Sequence, residues 1–329
     1  KTAQAAGITA TADMVFGYLD LEAEWADHKE AVMDPEFPLR MYLVPIEGRL
    51  SAEHGDAAAT FQLELQKRNT DKLAIHGVKF VNDGSYPAMT LRLRYPGYLD
   101  GHEGHRGETP WEELVETMLP YWRAGIQIHS HANGDETVQM TLDVLEQLQL
   151  RHPRFDHRFT IEHYCISTPD QARRLKALGG LASVNDYFVH YRSLIHAEQG
   201  FGPDRAEATA RLGSLEREGV VFALHSDFSL VLTPIHPLTA VWIAVNRVAL
   251  DGTVQAPGER IGVDRAMRAI TIDAAHILSR DHELGSIEAG KLADFTILED
   301  DPYDVDPTNI RDICVWGTML AGKVFPADG

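Results

Sequence analysis

A lysine, two histidines and an aspartate occupy comparable places in four short apolar runs. Lys79 lies in GVKFVNDGS, His131 closes GIQIHSH, His163 lies in TIEHY and Asp227 in HSDF. Neutral imidazoles and carboxylates are donors of the kind that zinc and related divalent ions take. An aspartate at such a place serves equally as a ligand, a general base or the cap of a following helix. A lysine among apolar strand residues must snorkel outward, pair (Asp83 is four residues on) or give up its charge, because an isolated buried ammonium is strongly disfavoured. A neutral amine could form a Schiff base, act as a base, or take up carbon dioxide and become an anionic carbamate. Each imidazole alone is also compatible with a hydrogen-bonded core residue. All four groups at the tips of four strands favour a metal site.

Side-chain alternation sorts their neighbours. Residues two apart on a strand face the same way. If His131 points into a central mouth, His129 points in one layer deeper, as a core residue or a support for the ligands. The same spacing puts His225 one layer below Asp227, where it either hydrogen-bonds a ligand and fixes its orientation or packs as a polar core residue. Asp135 either orients His131 or caps the helix that it opens. Glu162 is expected to face away from His163, toward the helices. Tyr187, with His190 and Tyr191 in NDYFVHYR, offers contacts to a substrate, or surface packing. His102 and His105 lie in a Gly- and Pro-rich stretch and read as solvated loop residues.

The elements that must position these groups alternate. Strands are expected at 8–14, 39–45, 76–83, 125–131, 158–164, 180–185 and 219–227. Helices are expected at 109–125, 134–151, 168–180 and 204–219, and an amphipathic one at 263–281. Strand, helix, strand, helix implies parallel strands with crossover helices, and the repetition over some 220 residues suggests a (β/α)8 barrel. Only seven strands are found, and an open edge would expose unpaired backbone groups. Segments 84–108 and 186–203 read as loops over the barrel mouth. From about 284 the texture changes to short β runs with Gly turns, a small appendage that needs companion strands from elsewhere. The expected division is 1–283 for the barrel and 284–329 for the appendage.

The 329 residues, 44% of them hydrophobic, are ample for a large core. A net charge of −19 argues against nucleic-acid or anionic-membrane partners. No run approaches the apolar length of a membrane span. Cys165 and Cys314 are the only cysteines, so there is no disulfide framework, and a reducing, cytoplasmic setting is the expectation.

The pieces VKFVNDGS, HANGDETV, FTIEHYCISTPDQARRLKALGGLASVN, GVVFALHSDF and GSIEAGKLADFTIL resemble the amidohydrolase superfamily. More narrowly they resemble its YtcJ-like branch, which includes N-substituted formamide deformylase and exoenzyme regulatory proteins. The resemblance runs from about residue 8 to 324. It implies a distorted (β/α)8 TIM-type barrel plus a small β-sandwich built from both chain ends, and hydrolysis of C–N bonds with one or two divalent metals, zinc foremost. It further implies Lys79 as a bridging carboxylated lysine, His131 and His163 as ligands of one ion, and Asp227 as ligand and general base. The family's His-x-His pair on the first barrel strand has no counterpart upstream of Lys79. The expectation is therefore a barrel whose first strand, and part of whose sandwich, lie outside these residues or come from a separate N-terminal fragment.

Three functions follow as hypotheses. One is a metal-dependent amidohydrolase acting on a small-molecule substrate, in a monomer or a homodimer. The second is a binding or regulatory barrel impaired by the missing His pair. The third, a Schiff-base lyase using Lys79, is weaker because histidines and an aspartate surround the amine.

Overall fold

The computed structural model describes residues 1–228, 231 and 233–327. Eight short strands run β1 (Ala10–Phe16), β2 (Arg40–Pro45), β3 (Leu73–Ile75), β4 (Val78–Val81), β5 (Ile128–Ala132), β6 (Thr160–His163), β7 (Leu181–Val184) and β8 (Phe222–Leu224). Every pairing between them is parallel. β3 and β4 are two halves of one line: β2 pairs with β3 at Leu43 and Ile75, and further on Ile46 bridges Lys79. The wall therefore has seven members, with β1 and β8 at its ends. The expected strand at 76–83 begins earlier, at Leu73, and breaks at Gly77. There φ is +61°, and a Cβ would lie 2.8 Å from His129 Cδ2; the ring of His129 requires a glycine at this bend.

Helices cover the outside of the wall. In Asp135–Arg151, Val138, Leu142, Leu145 and Leu148 recur at helical spacing and are fully buried. Each such side chain contributes roughly 1.5–3 kcal/mol by leaving water, and Leu145→Ala would cost about 2–5 kcal/mol. Two expected helices are each divided. Residues 204–219 form Pro203–Glu207 and Leu212–Glu218. Between them the buried Arg247 guanidinium takes the carbonyls of Glu207, Thr209 and Ala210, which a continuous helix would have used itself. Residues 263–281 form Val263–Ala269 and Ile272–Ile277, parted at the β-branched run Ile270–Ile272.

The C-terminal strands β9 (Phe295–Leu298), β10 (Val315–Leu320) and β11 (Lys323–Pro326) make an antiparallel sheet in the order β11-β10-β9. Its companions come from the other end of the chain and from the barrel. Gln4 Nε2 donates to the Phe325 and Pro326 carbonyls, and Thr296 Oγ1 to that of Gly7. A buried pair, Arg40 with Asp294 at 2.6 Å, joins the sheet to β2. Ile310 and Ile313 are part of the main core.

At the C-terminal ends of the strands, Tyr86, Leu91, Leu93 and Tyr98 of segment 84–108 form a second buried cluster with Cys165, Phe188 and Phe201. Tyr86 stacks on Phe188, ring centroids 4.5 Å apart. The expected mouth loops are thus a packed cover.

Candidate functional site

The parallel register brings the singled-out residues to one end of the wall. His131 is the penultimate residue of β5 and His163 the last of β6, and their ring centroids are 4.5 Å apart. His225, just past β8, lies with its ring 5.0 Å from that of His163. Lys79 is buried on β4, and the carboxylates that act on its ammonium are Glu162 and Asp227. Asp83 is not its partner, so the expected alternative of a Lys79–Asp83 ion pair is corrected. Burial pushes the Lys79 amine below the usual lysine range, against the pull of those two carboxylates.

The strand tip at His163 is twisted. His163 and Tyr164 have φ of +73° and +46°, so alternation fails there and Glu162 and His163 both reach the interior. This corrects the expectation that Glu162 faces the helices. Its Oε1 lies 2.7 Å from His129 Nδ1. Burial raises the Glu162 carboxyl, but the His129 hydrogen bond and the charges of Lys79 and the neighbouring histidines outweigh it and hold it at about 2. His129 thus sits one layer below His131, as alternation requires; its Nε2 is buried without a partner among the described residues.

His131 is oriented from the Asp83 side. Its Nε2 is 3.1 Å from the Gly84 carbonyl and 3.2 Å from Asp83 Oδ1. Asn133 Nδ2 stands 2.9 Å from the same nitrogen, so Nε2 is occupied by these three groups and Nδ1 is the ring nitrogen left for a ligand. Asp83 also accepts the backbone N–H groups of Asn133 and Gly134, so it fixes the turn between β5 and the helix that follows. Both expectations for Asp135 are corrected. Its side chain makes no cap bond and holds the mouth cover instead, accepting Arg94 N–H at 2.9 Å with Arg205 at 3.6 Å.

His163 is held neutral: burial, then the neighbouring His131, Lys79 and His225, push its pKa well below the usual histidine value. Burial likewise lowers His225. Asp227 has φ +54°, and the carbonyl before it, of Ser226, accepts from Asn185 Nδ2 at 3.2 Å and from Thr233 Oγ1. Tyr187 does not face a substrate. It is 1% exposed and its hydroxyl donates to the His236 carbonyl; His190 beside it bonds the Val248 carbonyl. Both are packing residues. His102 and His105 are exposed on the cover.

Among the described residues, no three His, Cys, Asp or Glu side chains already stand at metal-ligand distances from one point. The donor chemistry nonetheless suits a divalent ion: the adjacent imidazoles of His131 and His163, and the buried Lys79 amine with the Glu162 and Asp227 carboxylates acting on it. Sequence reasoning missed the supporting groups Asn133, Asn185 and His76. Polar side chains inside apolar runs were the signal, and they carry no fixed spacing.

The chain belongs to the amidohydrolase family, whose profile matches residues 1–326. It is 32% identical to Protein LONG AFTER FAR-RED 3 of Arabidopsis thaliana over 79% of this chain and 45% of that one. It is 28% identical to N-substituted formamide deformylase of Arthrobacter pascens over 74% of this chain and 44% of the enzyme. The chain thus spans about half the length of the curated relatives it matches. Among solved structures, an uncharacterized metal-dependent hydrolase from Pyrococcus horikoshii superposes with a TM-score of 0.72 at 22% identity, covering 92% of this chain and 58% of that one. That likeness shows the fold, a distorted TIM-type barrel with a small β domain. No helix among the described residues is long and apolar enough to cross a membrane.

Proposed function

We propose that the protein is a metal-dependent hydrolase that cleaves a non-peptide C–N bond of a small amide-type substrate. The observation that carries this is the pair of His131 and His163 rings, 4.5 Å apart at the strand ends, with the buried Lys79 amine facing the Glu162 and Asp227 carboxylates. Family membership and the formamide deformylase relative support it. These four residues would hold one or two divalent ions, zinc foremost from the donor set, with Lys79 as the carboxylated ligand. A bound ion supplies hydroxide near neutral pH and polarises the scissile carbonyl. The chain's own groups do the rest. Asp227 accepts the proton of the attacking water and returns it to the leaving amine. Asp83, the Gly84 carbonyl and Asn133 hold the His131 ring in place through Nε2, and Glu162 with His129 anchors the floor under Lys79. The packed cover 84–108 excludes bulk water. We assign 1–283 to the barrel and 284–329 to the small β domain (the last two residues lie outside those described), and a cytoplasmic homodimer as the working form.

The test is turnover of a panel of N-substituted formamides and cyclic amides by the parent and Asp227→Asn. The proposal expects a fall of about 100-fold or more. Undiminished turnover in the variant removes Asp227 as the base, and a metal-loaded parent inert on every C–N substrate removes the reaction class.

A further inference from the structure

The opposite end of the barrel carries a polar cavity of about 230 Å³. Its lining includes Gln127 ahead of β5, the turn Arg154–Arg158 ahead of β6, and Ser279. These residues precede their strands, so the cavity lies at the end away from Lys79, His131 and His163. Arg154 is the unbalanced group in it. Its Nη1 donates to the Trp122 and Ile126 carbonyls and its Nη2 to that of Gly125. A guanidinium has five N–H donors, so Nε–H and one Nη2–H remain. Nε and Nη2 are the two nitrogens of one edge of the planar group, the edge that meets an oxyanion with two parallel hydrogen bonds. The plane is fixed by those three carbonyls and by the Trp122 ring, 4.7 Å beneath.

The neighbouring cation differs. Arg158 is neutralised by both oxygens of Asp156 and by Asp281. Among the described residues, Arg154 has no carboxylate within 4.0 Å. Gln127 and Ser279 are bonded to each other and His157 to the Leu178 carbonyl, and of the two arginines in the wall Arg154 is the one without a carboxylate partner among the described residues. Burial weakens its hold on its own charge, and a bound anion would restore it. We propose that this cavity is a binding site for a small oxyanion, a carboxylate or phosphoryl group gripped by the Nε–Nη2 edge of Arg154.

The experiment is calorimetric titration of the protein with inorganic phosphate and with acetate, at low ionic strength. Saturable millimolar binding of either is expected; the tighter of the two identifies the phosphoryl or the carboxylate source. Arg154→Lys keeps the charge and loses the two-pronged geometry, so binding should weaken by about tenfold. Asp156→Asn removes an exposed carboxylate at the rim and frees Arg158 from one of its two carboxylates, so binding in this cavity should tighten severalfold. That variant keeps the test valid if substitution of Arg154 prevents folding. No saturable binding up to 50-fold above about 1 mM, or binding that neither substitution changes, overturns the proposal. The second outcome places the anion elsewhere, including at the catalytic end.

Discussion

His76, half-buried with its Nε2 enclosed, should make the fold sensitive to mild acid. It sits at the break between β3 and β4, with its ring 5.5 Å from that of His129 and its Nε2 buried without a partner among the described residues. Burial is the main cause of its lowered pKa, about 3. The charges of His129, Arg280 and Arg158 add to it and a hydrogen bond with Gln127 opposes it. The folded value lies below the unfolded one of 6.5, so the unfolded chain takes up a proton on acidification while the native ring does not. Stability from the neutral ring is therefore full above about pH 7 and falls as pH drops toward 3. Between pH 7 and 5 the unfolded-state proton affinity alone is worth about 1.4 pKa units, or roughly 2 kcal/mol. With about 2.1 cal/mol/K of unfolding entropy per residue, that is a Tm shift of about 3 °C for a chain of this length. His163 is lowered for the same reason and adds in the same direction. The assay is thermal unfolding of the parent and His76→Gln at both pH values. Packing losses in the variant appear at both pH values, so the comparison isolates titration. The drop in Tm from pH 7 to 5 should be about 3 °C smaller in the variant. Equal drops would show that His76 is not held neutral, and the reading of the barrel floor would be wrong.

Two further outcomes bear on the site. Glu162→Gln removes the anion between His129 and Lys79, and should lower stability by about 1–3 kcal/mol in urea unfolding at pH 7; a change under about 0.5 kcal/mol would mean that the carboxylate is solvated rather than paired. Asn185→Ala frees the Ser226 carbonyl that helps hold Asp227 at positive φ. It should lower kcat about tenfold while leaving KM nearly unchanged, and a rise in KM with kcat intact would contradict a positioning role.

Much of the barrel was legible because parallel strands buried on both faces are continuous apolar runs that stand out between amphipathic helices. The seven strands of the wall follow that signal, and so do the neighbouring imidazoles of His131 and His163, since an imidazole near the end of such a run must be accommodated somewhere. The errors arose where local backbone conformation overrides periodicity. Glu162 and His163 share the interior only because of the left-handed tip after β6. The helix at 204–219 was divided by Arg247, more than 25 residues away, which no local pattern announces. Tyr187, His190 and Asp135 have the chemistry of binding residues, but each is tied to backbone groups brought near by the fold alone. The pairing of the β9–β11 sheet with residues 4–7 is likewise a property of chain ends meeting in space.

The central claim is that Lys79, His131, His163 and Asp227 hold one divalent ion, and zinc X-ray absorption on the protein loaded with a single equivalent addresses it most directly. Nitrogen and oxygen scatterers at about 2.0–2.2 Å are expected, with the imidazole signature lost and zinc affinity reduced at least tenfold in a His131→Ala, His163→Ala double variant. Zinc bound with unchanged affinity and an unchanged spectrum in that variant would contradict the account.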